Sequence, residues 1–315
     1  MRYILKKILT SAVTVLLVTI FVFAAFELIP GDAAVAKLGT NATSEALDEM
    51  RESMGLNRPM LLRYFSWLFS FFFGDMGTST AYGMSVRAML ASKLPITLFL
   101  TLISFIMIIG ISIPLGVFCV KHDGSPLSRI LNVLNQLTMS IPPFFIGIII
   151  TYLLGLVLKL FVPGGFVSYE VNFGEFIYYL IFPALSIALP KAAMSMKLLR
   201  TSILEEAGKD YVRTAYSRGN STGAVLKFHV LKNALIPVIT FLGMTLADIV
   251  AGSLIVEQVF SIPGFGRLLI SSIANRDYPV VQAIITIIAI TVVIINLLVD
   301  ILYRYINPRI RRSAE

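Results

Sequence analysis

Hydrophobic residues fall along this chain in long blocks separated by short polar intervals. Apolar runs lie near Ile8–Ile29, Ile96–Val120, Ile130–Leu158, Phe176–Leu199, Ala234–Val256 and Val280–Tyr303. Each reaches the roughly 20 residues that a helix needs to cross about 30 Å of hydrocarbon. The pattern predicts an all-α integral membrane protein with about six transmembrane helices. The interval 30–93 is different. It carries an acidic helix-forming stretch, SEALDEMRESMGL, and an aromatic one, RYFSWLFSFFFGD, which read as short interfacial helices because aromatic rings favour the headgroup level.

Polar and helix-breaking residues inside the apolar runs point to surroundings other than lipid. Pro114 interrupts the second run, Pro142-Pro143 the third, and Pro183 and Pro190 the fourth. Each proline removes a backbone donor, which is tolerated only where neighbouring helices or water satisfy the freed carbonyl. Asn132, Asn135, Gln136 and Ser140 recur at helical spacing in the third run. Such a stripe serves either as interhelical hydrogen-bond glue or as pathway lining. Glu27 lies near the end of the first run, and Asp300 has Arg304 one turn on. Asp248 lies inside the fifth run with no basic residue three or four positions away. A charge there must face the bundle interior, a partner chain or water, so it lines a pathway or forms a structural pair.

Composition agrees with the bilayer as solvent: 57% of the 315 residues are hydrophobic, 14% are charged, and mean hydropathy is +0.85. The net charge of +8 does not indicate nucleic acid, since the basic residues sit mostly between and after the spans. Arg2, Lys6, Lys7, Lys121, Arg129, Arg200, Lys209, Arg213, Arg218, Lys227, Lys232, Arg304, Arg309, Arg311 and Arg312 fall on the side of the termini, with few acids among them. Acids balance the basic residues on the other side, so both termini are expected in the cytoplasm. The first run follows MRYILKK and exceeds the usual apolar core of a signal peptide. It reads as a retained helix. One cysteine, Cys119, and two histidines without zinc-site spacing, His122 and His229, offer neither a disulfide framework nor a metal centre. No GxxxxGK[ST] phosphate loop occurs. Asn41-Ala42-Thr43 matches a glycosylation sequon, a pattern frequent by chance.

Between the fourth and fifth runs lies RTSILEEAGKDYVRTAYSRGNSTGAVLKFHVLKNALIPVI. Good helix formers fill Glu205–Ser217, Gly219 can end that helix, and Asn220 or Ser221 can cap the next. The result is a helix–turn–helix between two spans, suited to docking into another protein's groove. Between the fifth and sixth runs, Pro263, Gly264 and Gly266 favour a tight turn.

This loop resembles the EAA signature of ATP-binding-cassette importer permeases, in the form used by the dipeptide, oligopeptide and nickel group: DYVRTA, a glycine four residues after that alanine, then HVLKNALIP. Other family-like stretches follow in order: IPGD, MGLNRP, RYFSW with GDMGTS, LPITL, VEQVFSIPGFGRLL, RDYPVVQ and NPRIRR. One departure is Tyr216, in RTAYSRG where the family commonly reads RTARAKG, which alters the electrostatics of docking.

The resemblance implies a type I importer transmembrane domain over 94–307, preceded by a helix and external segment over 1–93 and followed by a basic tail, 308–315. It implies a coupling loop at 200–233 in which Asp210, Tyr211, Arg213, Thr214, Ala215 and Gly219 dock on an ATPase subunit, while His229, Asn233 and Pro237 begin the next helix. Glu257, Pro263, Gly264 and Gly266 would lie at the external mouth. The expected partners are a second, homologous permease, two ATP-binding subunits and an extracytoplasmic substrate-binding protein. This chain would bind no cofactor, with ATP and Mg on the ATPases. Peptides are the expected cargo, and nickel chelates or glutathione are carried by the same permease pattern. Two other readings lack support: an ion-coupled secondary transporter would need an internal repeat with matched broken helices, and a membrane enzyme would need a nucleophile–base or metal pair.

Overall fold

The computed structural model describes residues 2–28, 35, 42–53 and 57–306. The IPGD motif, Asn41, the start of MGLNRP and the basic tail lie outside the described residues. The chain divides into two compact units: Met1–Pro95 with Pro263–Val293, and Ile96–Ile262 with Ile294–Glu315.

The first unit holds α1 (Arg2–Leu28), α2 (Ser44–Ser53), α3 (Met60–Phe72), the start of α4 (Val86–Lys121), α10 (Phe265–Ala274) and most of α11 (Tyr278–Ile306). The two stretches read from sequence as short helices, SEALDEMRESMGL and RYFSWLFSFFFGD, hold α2 and most of α3. α3 docks on α1 through a mixed contact: Phe23 meets Tyr64 edge-on at 5.6 Å and Trp67 at 5.7 Å. Tyr64 Oη and Thr19 Oγ1 lie 2.9 Å apart. Arg63 pairs with Glu27 at 2.5 Å, which accounts for an acid at the end of an apolar helix. Leu61, Phe65, Phe69, Phe72 and Phe73 are exposed.

The second unit contains the rest of α4, α5 (Pro126–Met139), α6 (Pro143–Val157, π-helical from Thr151), α7 (Phe173–Ala207), α8 (Asp210–Ser217), α9 (Thr222–Val259, π-helical over Leu226–Val230) and the end of α11. α7 is its central helix: 67% of its apolar window is buried. It packs on α9, α6 and α5. Lipid is as apolar as leucine, so helices here associate through close packing and hydrogen bonds, which small residues permit. α7 accordingly buries Ala184, Ser186, Ala188, Ala192, Ala193 and Ser195. It also runs unbroken through Pro183 and Pro190.

Among the described residues, α1, α4, α7, α9 and α11 are long and apolar enough to cross a membrane, and α5 with α6 makes a sixth span if that bent pair is one crossing. The third apolar run is not a straight rod, for its two arms meet at 109°. The cause is Pro142-Pro143. Neither residue can donate, and Pro142 is extended at φ −62°, ψ 145°, so the helix stops at Met139 and restarts.

Near the start of α7 the aromatic residues share a buried knot. Tyr179 Oη donates to the Phe260 carbonyl at 2.6 Å and accepts from Gly164 N–H at 3.1 Å, while Phe161 stacks on Phe182 at 4.1 Å. α9 and α11 also approach closely. A Cβ built on Gly243 would stand 2.6 Å from Val299 Cγ2. Gly243→Leu is expected to destabilise the chain by about 1–3 kcal/mol through overpacking, read as earlier thermal unfolding in detergent. An unchanged transition would mean that these helices do not meet there.

Candidate functional site

The loop after α7 folds as two short pieces rather than one. The sequence reading ran a helix from Glu205 through Ser217, whereas α7 continues to Ala207, turns at Gly208 and Lys209, and α8 begins at Asp210. The glycine is a poor helix residue, and Lys209 adopts extended backbone at φ −79°, ψ 151°, which sets the change of direction.

α8 is two-sided. Val212 and Ala215 are buried in the core cluster that also holds Val225, Val230 and Ala234 of α9 and Ile203 of α7. Asp210, Arg213, Thr214 and Ser217 are exposed, and Arg213 and Asp210 form a solvated pair at 3.7 Å. Such a pair contributes little to stability, so this face is free to change partners.

The base of α8 is fastened by a polar network. Tyr211 Oη donates to Glu206 Oε2 at 2.6 Å and accepts from Asn233 Nδ2 at 3.0 Å. Glu206 also pairs with Lys209. Tyr211 and Asn233 were both legible as candidates and are brought together, whereas Glu206, which completes the link to α7, was missed. The turn after α8 is held by Asn220 Nδ2, donating to the Ala215 carbonyl at 2.9 Å, and by Ser221, whose Oγ accepts from Ala224 N–H at 3.4 Å. His229 is exposed in the π-helical stretch, and Pro237 lies on an exposed face of α9.

Gly219 sits at φ +80°, yet a Cβ there would touch nothing within 4 Å. Conformation, not crowding, therefore selects glycine. Gly219→Asn, which tolerates left-handed backbone, should keep near-parental thermal stability in detergent, whereas Gly219→Val should shift the α8 turn and lower stability through about 1–2 kcal/mol of backbone strain. Equal stability of the two variants would show that backbone angle is irrelevant here.

The intramembrane polar residues separate into two groups. Asn135 Nδ2 donates to the Ala193 carbonyl at 2.9 Å, tying α5 to α7 in the manner of interhelical glue. Among the described residues Asn132 donates to Ser128 Oγ of its own helix alone, at 3.5 Å, and Gln136 is exposed. Asp248 pairs with Lys191 of α7 at 2.7 Å. Lys191 went unnoticed because its neighbours are apolar and because a search at helical spacing cannot reach another helix. Glu257 is fully buried and accepts from Thr97 Oγ1 at 2.6 Å.

The remaining candidates lie in the first unit. Gly264 and Pro263 form the turn that precedes α10, and Gly266 falls inside that helix, buried. There, Asp277 is fully buried and gathers the loop ahead of α4. It accepts from Ser79 Oγ, from Thr80 N–H at 3.0 Å and from Thr80 Oγ1 at 3.2 Å. Its role was not read from sequence. Among the described residues no group of acids, histidines or cysteine is placed to hold a metal ion.

Comparison with known proteins accords with this arrangement. A chain from a structure of the MetNI methionine ABC transporter, in inward-facing conformations, superposes with a TM-score of 0.54 at 17% identity, covering 70% of this chain and 96% of that one. That likeness establishes the fold, a type I importer transmembrane domain. AppB of Bacillus subtilis, named an oligopeptide transport system permease protein, is 36% identical over 98% of both chains. The probable peptide ABC transporter permease y4tP of Sinorhizobium fredii is 33% identical over 98% of this chain and 99% of its own length. A putative peptide transport system permease of Brucella abortus is 34% identical over 98% of each. Residues 1–101 match the N-terminal region, and residues 112–312 the main region, of one family of transport components. The chain thus belongs to the binding-protein-dependent transport system inner membrane components, the multi-pass permease subunits of ABC transporters.

Proposed function

We propose that this chain forms part of the pathway through which an ATP-driven importer moves di- or oligopeptides across the cytoplasmic membrane. The peptide reading is carried by one observation: relatives aligned over 98% of the chain at 33–36% identity bear names for peptide and oligopeptide transport. The basic residues flanking the spans put both termini, and with them loop 200–233, in the cytoplasm. In this reading the exposed face of α8 docks on an ATP-binding subunit. Two such subunits, a second homologous permease and an extracytoplasmic substrate-binding protein complete the assembly. ATP and Mg reside on the ATPases, and this chain holds no cofactor.

Coupling follows from how α8 is fastened. ATP binding must make contacts that differ between inward-open and outward-open states, since a ligand shifts an equilibrium only by its differential affinity. α8 is where those contacts are made. Val212 and Ala215 anchor it in the core, and the Glu206–Tyr211–Asn233 network joins it to α7 and α9. A displacement of α8 therefore moves both helices that carry Lys191 and Asp248. In this reading Asp248, Asn132, Asn135 and Gln136 line the pathway, and Glu257, Pro263, Gly264 and Gly266 belong to its external end.

The deciding experiment is reconstitution of the whole assembly in liposomes with labelled peptides. Uptake should require ATP inside and binding protein outside. Uptake by this chain alone on an ion gradient, or import of a nickel chelate but no peptide, would overturn the reading.

A further inference from the structure

The Lys191–Asp248 pair has a property that pairing alone does not explain. Its partners stand inside the long apolar helices α7 and α9, with Nζ and Oδ2 2.7 Å apart. Mutual attraction accounts for the presence of two opposite charges among apolar residues. It does not account for their exposure: the Asp248 side chain is 62% accessible, that of Lys191 24%. A carboxylate so open cannot face acyl chains within a span, where ionised groups turn to water or protein.

The ground around Asp248 is open too. Met244, Asp248, Gly252 and Ile255 form an exposed stripe on α9 at helical spacing, and a Cβ added to Gly252 would meet nothing within 4 Å. Lys191 engages Oδ2, while Oδ1 takes no hydrogen bond from the described residues. An ionised carboxylate offers acceptor positions on both oxygens and donates nothing. The open half of Asp248 is thus an acceptor directed at a donor, and a charged donor is the one that suits it.

We propose that Asp248 contacts the substrate during translocation, taking the protonated amino terminus of the passing peptide on its free oxygen while Lys191 keeps the carboxylate ionised and oriented. This rests on the peptide reading above. An ammonium group supplies three N–H donors, enough to bond Oδ1 without displacing Lys191. The lysine also keeps the site weak. It neutralises the pair, so a passing ammonium is attracted by a dipole rather than by a full unpaired charge. A translocation site needs that balance, favourable enough to enter and weak enough to leave.

The test uses the complete transporter in liposomes with saturating binding protein. Asp248→Asn keeps the shape and an acceptor but removes the charge. Import of peptides with a free amino terminus should fall about tenfold or more, the scale of one lost charge-assisted hydrogen bond, and by more than import of the same peptides acetylated at the amino terminus. The exchanged pair, Lys191→Asp with Asp248→Lys, should not restore import, because an ammonium then stands where the acceptor must be. Parental import by Asp248→Asn, or rescue by the exchange, would reduce the pair to a structural one and overturn the inference alone. A parent assembly that imports no peptide would overturn the peptide reading and this inference with it. A second variant measures exposure directly. Asp248→Cys, in a chain whose buried Cys119 is replaced by alanine, should react with a water-soluble thiosulfonate and react more slowly in the presence of peptide. Failure to react would mean that protein or lipid covers this face, which also overturns the inference.

Discussion

Val212→Asp is expected to abolish transport while leaving the spans inserted. Val212 is 1% exposed, on the inner face of α8, within an apolar cluster that includes Ala215, Val225 and Val230. A carboxylate placed there has no cation in the cluster to meet, and burying it unpaired costs several kcal/mol. An eight-residue helix cannot supply that from its own backbone, since so short a segment is marginal without tertiary packing. The cheaper response is for α8 to leave its seat, exposing the aspartate and breaking the register of the docking face. α7 and α9 remain, because their packing lies in the long apolar helices. The expected result is membrane insertion at parental levels, loss of co-purifying ATPase subunits and no ATP-dependent uptake. Arg213→Ala, on the exposed side at 78% side-chain accessibility, serves as the contrast and should weaken docking far less. Parental transport by Val212→Asp would show that α8 does not carry the coupling.

What was legible in sequence was whatever depends on local pattern. A membrane span announces itself through 20 apolar residues in succession, and α1, α4, α7, α9 and α11 follow the apolar runs closely. The turn after α8 was legible because left-handed backbone and capping have residue-specific chemistry, so Gly219 could be placed in advance and the cap narrowed to Asn220 or Ser221, of which the fold uses Ser221. Pro142-Pro143 signalled an interruption, but the 109° between the arms depends on what each arm packs against. Long-range polar pairs were not legible. Lys191 and Asp248 are far apart in sequence, and only Asp248 looked anomalous alone. Only the packing of α7 on α9 shows that each resolves the other. Asn135 was visible as one of a polar stripe, yet its partner is a backbone carbonyl of α7, which no side-chain pattern can reveal.

Asp277 illustrates the same limit and yields the second large effect. The RDYPVVQ stretch looked family-like, but nothing in its spacing named a partner nearly 200 residues away. In the fold the carboxylate is fully buried and is the acceptor around which the loop at Ser79 and Thr80 is arranged, with Ser79 Oγ also accepting from Tyr82 N–H at 2.9 Å. Removing the acceptor strands these donors together, and each unsatisfied buried polar group costs about 1–3 kcal/mol. Asp277→Ala should therefore destabilise the first unit by roughly 3–5 kcal/mol, enough to free the loop from the end of α10. Asp277→Asn keeps one carbonyl oxygen for Thr80 but turns an amide donor towards another donor, so it should recover only part of the loss. The readouts are thermal unfolding in detergent and protease sensitivity near Gly77–Gly83. An isolated loop defect would raise cleavage there while leaving the α8 contacts, and hence ATPase co-purification, intact. Parental stability of Asp277→Ala would mean that the loop is held by other contacts. Loss of ATPase binding in the same variant would mean instead that Asp277 supports the whole chain and not one end of it.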